Sequence, residues 1–227
     1  MIALPEMFHK QSGINDIPTQ VKNPELVEKR RRQIIDASVR LFIEKGFHKT
    51  TTRQIAKASG ISIGSLYEYV QSKEDILYLV CEAIHGEVEK GVNQALKTAE
   101  SGKEAIYAVI REYLTVCNGM SGHILLIYRE TQTLPENWRK RVLENEVRIT
   151  GLFYKALLKI VGGKSAANNL PKVDDRALEL IAHNISVLGH MWTFRRWFLS
   201  RHYTLDEYIN IQADFIIGFF NGGGNRG

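Results

Sequence analysis

Apolar residues recur at the spacing of an α-helix along most of this 227-residue chain. The first periodic segment begins near Pro24 and carries Ile35, Val39 and Phe42 on one face. It stops at Gly46, a residue type that commonly ends a helix. We therefore predict a first amphipathic helix that ends at residue 45.

A longer helix is predicted to start after Ser72. Ser72 can cap it, and the carboxylates of Glu74 and Asp75 suit the positive end of a helix. Its apolar period continues from Leu77 to Val88. This helix is long enough to leave one domain and enter a second.

Helical periods account for the rest of the chain, and the sequence carries no strand signal of any weight. Further helices are predicted at about 102–117, 124–128, 135–160, 174–200 and 205–220. A loop at residues 162–171 precedes the last two of them. The predicted fold class is all-α.

Residues 50–69 have the layout of two short helices with a sharp turn at Gly60. Glycine can adopt the positive φ that such a turn needs, and Ala56 is small where the two helix axes approach each other. Ile55 packs the pair, and Ser62 stands where an N-cap would start the second helix. This is the layout of a helix-turn-helix, which places its second helix in the major groove of DNA.

Roughly residues 28–85 resemble the N-terminal signature of the TetR family of bacterial one-component transcriptional regulators. The matching positions are Gly46-Phe47, Thr50-Thr51, Ile55-Ala56, Ser59-Gly60-Ile61-Ser62, Gly64, Leu66-Tyr67, Tyr69 and Ser72-Lys73-Glu74-Asp75. Val70 stands where the family usually has Phe, and it still fills an apolar position.

The resemblance implies an N-terminal three-helix DNA-binding domain followed by a larger helical domain for ligand binding and dimerisation. We place the first at residues 24–71 and the second at residues 72–221. Residues 1–23 carry no sustained period and are interpreted as a mobile arm.

Charge is concentrated in the helix-turn-helix region. The segment from Glu28 to Lys73 holds ten basic and four acidic residues, a net charge of +6, whereas the whole chain has +5. A charge run alone usually marks a solvated face. Combined with a helix-turn-helix, it indicates binding to double-stranded DNA.

The side chains that would read bases are unusual in type. Arg and Gln are common base readers, and here they stand at the start of the first short helix as Arg53 and Gln54. In the second helix, Ile63 can pack on a thymine methyl group, while Ser62 and Ser65 can donate to base edges or phosphates.

The resemblance implies a second set of residues that hold the DNA phosphates. They are Thr50, Thr51, Tyr67, Tyr69 and Lys73. Packing under the helix is the alternative for Tyr67, and an ordinary surface charge is the alternative for Lys73. Arg30, Arg31 and Arg32 are either an arm for the minor groove or the solvated start of the first helix.

The last two helices are apolar nearly all round. In the penultimate helix one face carries Leu178 and Ile185, and a second carries Leu180, Val187 and Met191. A helix of this kind must be buried nearly all round. We expect the last two helices to pack on the same pair in a second copy, giving a homodimer with a two-fold axis.

The resemblance also implies a pocket for a small, commonly apolar effector inside the second domain. The candidate lining residues are Tyr107, Ile110, Tyr113, Leu114, Ile124, Tyr128, Phe153, His183, Asn184, Val187 and Trp192. For each of them singly, ordinary core packing is the alternative. The polar pair His183 and Asn184, on an otherwise apolar helix, is expected to need partners inside the domain, and a ligand is one such partner.

A looser similarity, over residues 127–136 and 192–197, is to TetR-class regulators of fatty-acid metabolism. It implies an acyl-CoA effector, with Arg129, Arg195 or Arg196 available for its phosphates. Surface charge is the alternative interpretation of the three arginines.

Other function classes find little support in the sequence. Cys81 and Cys117 lie inside apolar helical patterns with no metal-ligand spacing, so we expect reduced, structural thiols, a cytoplasmic protein and no metal or cofactor. We find no export signal and no apolar run of membrane-spanning length. No nucleophile has a placed base, so no enzyme is expected. The remaining alternative is a DNA-binding protein of this fold without a small-molecule ligand, controlled by a protein partner or acting architecturally.

Overall fold

The structure, a computed structural model, describes residues 17–99, 102–132, 134–162 and 174–222. Across these residues the regular secondary structure is helical, as the sequence predicts. The helices are α1 (Pro24–Lys45), α2 (Thr52–Ala58), α3 (Ile63–Tyr69), α4 (Lys73–Thr98), α5 (Gly102–Gly119), α6 (Ser121–Thr131), α7 (Glu136–Gly162), α8 (Asp175–Phe194), α9 (Arg196–Leu199) and α10 (Leu205–Gly222).

Helices α1 to α3 form the predicted helix-turn-helix. Gly60 has a φ of 68°, and Ile61 N–H donates to the carbonyl of Ala56 across the turn. Ile55 and Leu66 are fully buried between the helices. Ser62 accepts a hydrogen bond from Ser65 N–H, as an N-cap does. The short-range features of this motif were predicted correctly.

The two ends of α1 are closed by local contacts. Asn23 caps the N-terminus by accepting from Leu26 N–H, and Pro24 follows at the first helical position. Gly46 ends the helix with a φ of 85°. The predicted C-terminus is confirmed, and the cap at Asn23 was not predicted.

A short connection joins α3 to α4. Val70 is buried and extended, as expected for a residue that fills an apolar position. Ser72 Oγ accepts from Asp75 N–H, and Asp75 Oδ2 accepts from the N–H groups of Gln71 and Ser72. The start of α4 is therefore capped by Ser72, as predicted, with Asp75 as the reciprocal partner.

The described residues form two compact units. The first comprises residues 17–84 and 122–145, and the second comprises residues 85–121 and 146–222 with the gaps given above. The units do not coincide with the predicted domains 24–71 and 72–221, since α4 and α7 each contribute to both. The predicted domain boundary itself stays a prediction.

In the second unit, α5 packs against both α8 and α10. Gly189 of α8 allows the first of these contacts, because a Cβ atom there would overlap Cys117 Sγ and lie 2.8 Å from the ring of Tyr113. Tyr113 also donates to the carbonyl of Ser186 at 2.6 Å and meets Phe153 edge to face. The α5–α8 crossing is the centre of this core.

Two predicted segments differ from the structure. The penultimate helix was expected to reach about Ser200, but α8 ends at Phe194 and the short helix α9 follows a break at Arg195. Asp174 is the N-cap residue of α8, without a side-chain capping bond. Most of the predicted loop 162–171 lies outside the described residues.

The predicted N-terminal arm lies outside the described residues as far as residue 16. Its remaining part packs on α1 to α3, where Ile17 is 2% exposed. Among the helices that the structure describes, no segment combines the length and the apolar character needed to cross a membrane.

Candidate functional site

The α2–α3 pair presents a mixed basic and apolar surface. Arg53 and Lys57 of α2 are exposed, and so are Ile63 (37%) and Tyr67 (49%) of α3. Ser62, the N-cap of α3, is exposed as well. These side chains stand on a buried scaffold, so the surface has a defined shape and can follow a DNA groove.

Gln54 is partly committed to a local role. Thr51 caps α2 by accepting from Gln54 N–H, and Gln54 Oε1 accepts from Thr51 N–H at 3.0 Å. This reciprocal capping box uses the oxygen of the Gln54 amide. The amide nitrogen can still donate to a base, whereas a bidentate contact would require the cap to open.

Thr50 and Tyr69 have structural positions. Thr50 is 1% exposed, and its hydroxyl donates to the carbonyls of Gly46 and Leu41 at the end of α1. Tyr69 is 3% exposed. A buried side chain cannot reach a phosphate, so the side-chain DNA contacts predicted at these two positions are wrong.

Lys73 lies at the start of α4 and is engaged within the domain. Its Nζ donates to the carbonyl of Phe47 at 2.9 Å and to that of His48 at 3.4 Å. The ammonium group also lies 4.6 Å from the centre of the Phe47 ring. An ammonium group has three donor hydrogens, so at most one is left for a phosphate.

The three consecutive arginines of α1 have three different environments. Arg31 is 2% exposed and binds the backbone carbonyls of Ile17 and Tyr69. Arg30 is partly exposed and donates to Gln33, while Arg32 is exposed. For Arg31, both sequence interpretations, the minor-groove arm and the solvated helix start, are wrong.

Most of the predicted effector-lining residues are core residues. Ile110, Tyr113, Leu114, Phe153 and Trp192 are buried in the second unit. Ile124 and Tyr128 belong to α6 of the first unit, where Ile124 is buried and Tyr128 is 42% exposed. Tyr107 is partly exposed, and its hydroxyl bonds to Asn210 of α10.

The polar pair on α8 lies on the surface. His183 and Asn184 are exposed, and Val187 is 52% exposed. Because both polar side chains are exposed on the subunit, they need no partner inside it. The prediction that His183 and Asn184 face the interior is wrong.

Three further polar groups of the second unit were not predicted: Glu146 is partly exposed, whereas His85 and His190 are buried. Burial raises the pKa of Glu146 to about 7 and lowers the pKa of His190 to about 4. Their side chains approach to 3.9 Å. Burial and the neighbouring Arg148 lower the pKa of His85 to about 3. Glu146 is four residues after Val142 and three and seven residues before Ile149 and Phe153, all of which are buried. This spacing places Glu146 on the same helix face, so the sequence could have indicated its position.

Cys117 also belongs to this interior. Burial raises the pKa of its thiol to about 12, so the thiol is protonated and unreactive. Cys81 and Cys117 are both free thiols and buried, as expected. Within the described part of the chain, no three His, Cys, Asp or Glu residues come together in a way that could hold a metal ion.

The arginines considered for effector phosphates have local contacts. Arg129 donates to the carbonyl of Phe42 at 3.3 Å and to Glu130 at 2.9 Å, so it closes the end of α1. Arg196 donates to Ser121 Oγ, and Arg195 stacks on the ring of Trp197. All three arginines are exposed.

One face of α8 and one face of α10 expose apolar side chains. On α8 the exposed residues are Leu180 (62%), Val187 (52%), Met191 (46%) and Phe194 (38%). On α10 they are Ile211 (54%), Phe215 (78%) and Phe219 (48%). The opposite face of α8, which carries Leu178 and Ile185, is buried as predicted. We name this exposed set the α8–α10 apolar surface.

Comparison with known proteins agrees with the helix-turn-helix. Residues 34–79 match the model of the family described as bacterial regulatory proteins, tetR family. The chain is 27% identical over 198 residues to the HTH-type transcriptional regulator HbdR of Aromatoleum sp. (strain CIB), covering 87% of this chain and 83% of that protein. It is 30% identical over 115 residues to the fatty acid metabolism regulator protein of Bacillus subtilis (strain 168), covering 51% of this chain and 58% of that protein.

The fold is similar to that of solved regulators. The structure of the transcriptional regulator FadR from Bacillus subtilis in complex with stearoyl-CoA superposes with a TM-score of 0.63 at 20% identity, over 86% of this chain and 99% of that chain. This likeness concerns the fold. Residues 34–79 therefore form a helix-turn-helix of the tetR family of bacterial regulatory proteins, and the rest of the described chain has the fold of solved tetR-family regulators.

Proposed function

We propose that this transcriptional regulator is a repressor that binds a near-palindromic operator as a homodimer. It releases the operator when a small apolar effector binds. The observation that carries the DNA-binding part is the exposed set Arg53, Ile63 and Tyr67 above the buried residues Ile55 and Leu66. Arg53 is the candidate base reader, and Ile63 is the candidate contact to a thymine methyl group.

Phosphate contacts would come from neighbouring groups. Thr51 and Tyr67 are exposed beside Arg53, and Lys57 adds a positive charge on α2. Ser62 and Ser65, at the start of α3, can donate to phosphates or base edges. Lys73 is a weaker candidate because it already binds two carbonyl groups.

The homodimer is supported by the α8–α10 apolar surface. Phe215 is 78% exposed, and six further large apolar side chains are exposed on α8 and α10. Exposed apolar surface of this kind commonly marks an interface between proteins. A two-fold axis would use the same surface on both copies and hold two α3 helices about 34 Å apart, one turn of DNA.

An acyl-CoA is the effector class we propose. The proposal is supported by similarity to other proteins. The B. subtilis fatty acid metabolism regulator is a sequence relative, and the structurally similar FadR was solved in complex with stearoyl-CoA. In this chain the acyl group would need an apolar interior, which the second unit provides around Ile110, Leu114 and Phe153. Helix α4 contributes to both compact units and is the natural element to couple the effector to α3.

A second candidate is a DNA-binding protein of this fold without a small-molecule effector. The tight α5–α8 crossing favours it, because Tyr113, Phe153 and Cys117 fill the centre of the second unit with side chains. Such a protein would be controlled by a protein partner or act architecturally. Its DNA affinity would not respond to any acyl-CoA.

Selection from a pool of random duplexes tests the DNA-binding part of the proposal. The wild-type protein is expected to enrich an inverted repeat whose half-sites lie about one helical turn apart. The variant Phe215→Asp should be monomeric and should lose affinity for the full repeat. Leu143→Asp, which places the same charge at a 52% exposed position of α7, is the control and should remain dimeric.

Two results would contradict this proposal. If the wild-type protein enriches no sequence, α3 is not a helix that recognises specific bases. A wild-type protein that sediments as a soluble monomer at micromolar concentration would remove the homodimer.

A further inference from the structure

The chain just before α1 contacts the end of α3 rather than extending away from it. Thr19 Oγ1 donates to the carbonyl of Glu68 at 2.8 Å, and the same oxygen accepts from Val21 N–H at 3.2 Å. Ile17, two residues earlier, is 2% exposed. We name residues 17–21 the N-terminal strap.

Arg31 joins the strap to α3. Its Nη2 donates to the carbonyl of Ile17 at 2.7 Å and to the carbonyl of Tyr69 at 3.1 Å, and its Nε also approaches the Tyr69 carbonyl, at 3.3 Å. The guanidinium group has donors in a fixed fork, so it can hold two carbonyls at a set distance from each other.

The same arginine lies near the start of α4. Burial lowers the pKa of Arg31, and the nearby carboxylate of Asp75 opposes that shift. Asp75 in turn accepts from the N–H groups of Gln71 and Ser72, the two residues that connect to α4. The buried charges of Arg31 and Asp75 therefore lie where the strap, the end of α3 and the beginning of α4 come together.

These contacts satisfy the carbonyl groups at the C-terminal end of α3. A helix of seven residues is marginal alone, and its last carbonyl groups have no partner within the helix. Glu68 and Tyr69 contribute two of these groups, and the strap and Arg31 bind them. The direction of α3 is then fixed at its N-terminal end by Ser62 and at its C-terminal end by Thr19 and Arg31.

We infer that the N-terminal strap and Arg31 position α3 for sequence-specific DNA binding, although neither is a proposed DNA contact. Both lie outside residues 34–79, the part of the chain that matches the family model. The inference rests on the proposed function, because it takes α3 as the helix that reads DNA. Thr19 and Arg31 are positioning residues in this account: they act through the orientation of α3.

The test measures the dissociation constants of full-length variants for two duplexes at one salt concentration. One is the sequence that the wild-type protein enriches from a random pool, and the other is an unrelated duplex of the same length. Thr19→Val removes the hydroxyl group at an exposed position and should leave the melting temperature unchanged. It should weaken binding to the enriched duplex roughly fivefold, the effect of one hydrogen bond, and leave the unrelated duplex unaffected. Thr19→Ser keeps the hydroxyl group and should bind like the wild type.

Arg31 needs a control for stability. Arg31→Met should lose preference for the enriched duplex and also lower the melting temperature, because two carbonyl groups lose their partner. Val39→Ala removes buried methyl groups from the same helix and should lower the melting temperature without changing that preference.

Two results would overturn the inference. In the first, Thr19→Val and Arg31→Met keep the wild-type preference for the enriched duplex over the unrelated one. In the second, each variant weakens binding to both duplexes by the same factor. If the wild-type protein enriches no sequence, the proposed function fails and the inference fails with it. Enrichment by the wild type together with unaffected variants overturns the inference alone.

Discussion

The hydroxyl groups of Thr52 and Tyr67 lie 3.1 Å apart and join α2 to α3. Tyr67 is 49% exposed, so its ring lies on the proposed DNA surface, while its hydroxyl group contacts Thr52. A side chain fixed in this way gives up little conformational freedom when it binds a phosphate. Tyr67 therefore remains our proposed phosphate contact.

The first prediction concerns the hydroxyl group of Tyr67. Tyr67→Phe should weaken binding to the enriched and unrelated duplexes alike, by about 0.5–1.5 kcal/mol, because phosphate contacts carry no sequence information. Thr52→Val leaves the phenol in place and should cost less. Equilibrium titrations of the two single variants and the double variant measure the coupling. Unchanged affinity of Tyr67→Phe for both duplexes would contradict the phosphate contact.

The second prediction separates base reading from charge. Arg53→Ala should cost about 1–3 kcal/mol on the enriched duplex and flatten the preference at particular base pairs. Lys57→Ala removes an exposed charge from the same helix and should weaken binding to all duplexes equally. Titration against single-base-pair variants of the enriched duplex checks both. An Arg53 variant that loses as much affinity for random DNA as for the enriched duplex would rule out base reading.

The third prediction tests the α5–α8 crossing. A methyl group at Gly189 would overlap Cys117 Sγ, so Gly189→Ala should destabilise the protein by roughly 1–3 kcal/mol. Gly86 lies in α4, and a methyl group there would have nothing within 4 Å, so Gly86→Ala should stabilise the protein by roughly 0.5–1 kcal/mol. Urea unfolding at one protein concentration compares the two. Equal effects of both substitutions would mean that the crossing is less tight than described.

The fourth prediction concerns Glu146 and pH. Burial raises its pKa to about 7 from 4.5, so the folded protein binds this proton more tightly than the unfolded chain does. Ionising Glu146 therefore costs stability progressively as the pH rises from 4.5 to 7, and the full cost is present above 7. Glu146→Gln carries no such charge, so it should gain stability relative to the wild type between about pH 5 and pH 8.

His85 and His190, two buried histidines of the second unit, can also titrate in this pH range. The pKa of His190 is lowered to about 4 and that of His85 to about 3, so both are neutral in the folded protein above about pH 5. Their contribution is then shared by the wild type and the variant. Urea unfolding at about pH 5, 6.5 and 8 measures the difference. A difference that stays constant across this range would show that Glu146 ionises normally.

The helix-turn-helix was predictable because its determinants are local. Gly60 must take a positive φ, Ala56 must be small and Ser62 must cap, and each requirement acts within a few residues. The same holds for Gly46 at the end of α1. Local rules of this kind need no knowledge of the tertiary structure.

The errors at Thr50, Tyr69 and Arg31 have one cause. The resemblance to the family identifies positions that lie near the DNA in its members. Whether a side chain at such a position is buried depends on how α1, the strap and the start of α4 pack together. Arg31 stands between two other arginines, and nothing in that run distinguishes the buried one. Its partners are 14 and 38 residues away in the sequence, beyond the range of any periodic pattern.

His183 and Asn184 show the limit of reasoning from a helical pattern. The sequence predicted two apolar faces on α8, and the structure buries the one with Ile185 and exposes the one with Val187. The polar pair lies on the exposed side. The pattern could not decide which face was inside, because both faces are apolar.

The most direct test of the account is whether effector and DNA compete through the protein. Stearoyl-CoA should bind one site per subunit, raise the melting temperature, and lower the affinity of the wild-type protein for the enriched duplex. The duplex must then lower the affinity for stearoyl-CoA by the same factor, since coupling between two sites is reciprocal. Calorimetric titrations of stearoyl-CoA with and without the duplex measure that factor, with coenzyme A and stearate as controls. The predicted result is that stearoyl-CoA and the duplex each lower the affinity of the protein for the other, by the same factor. If stearoyl-CoA binds tightly and leaves the DNA affinity unchanged, the account is contradicted.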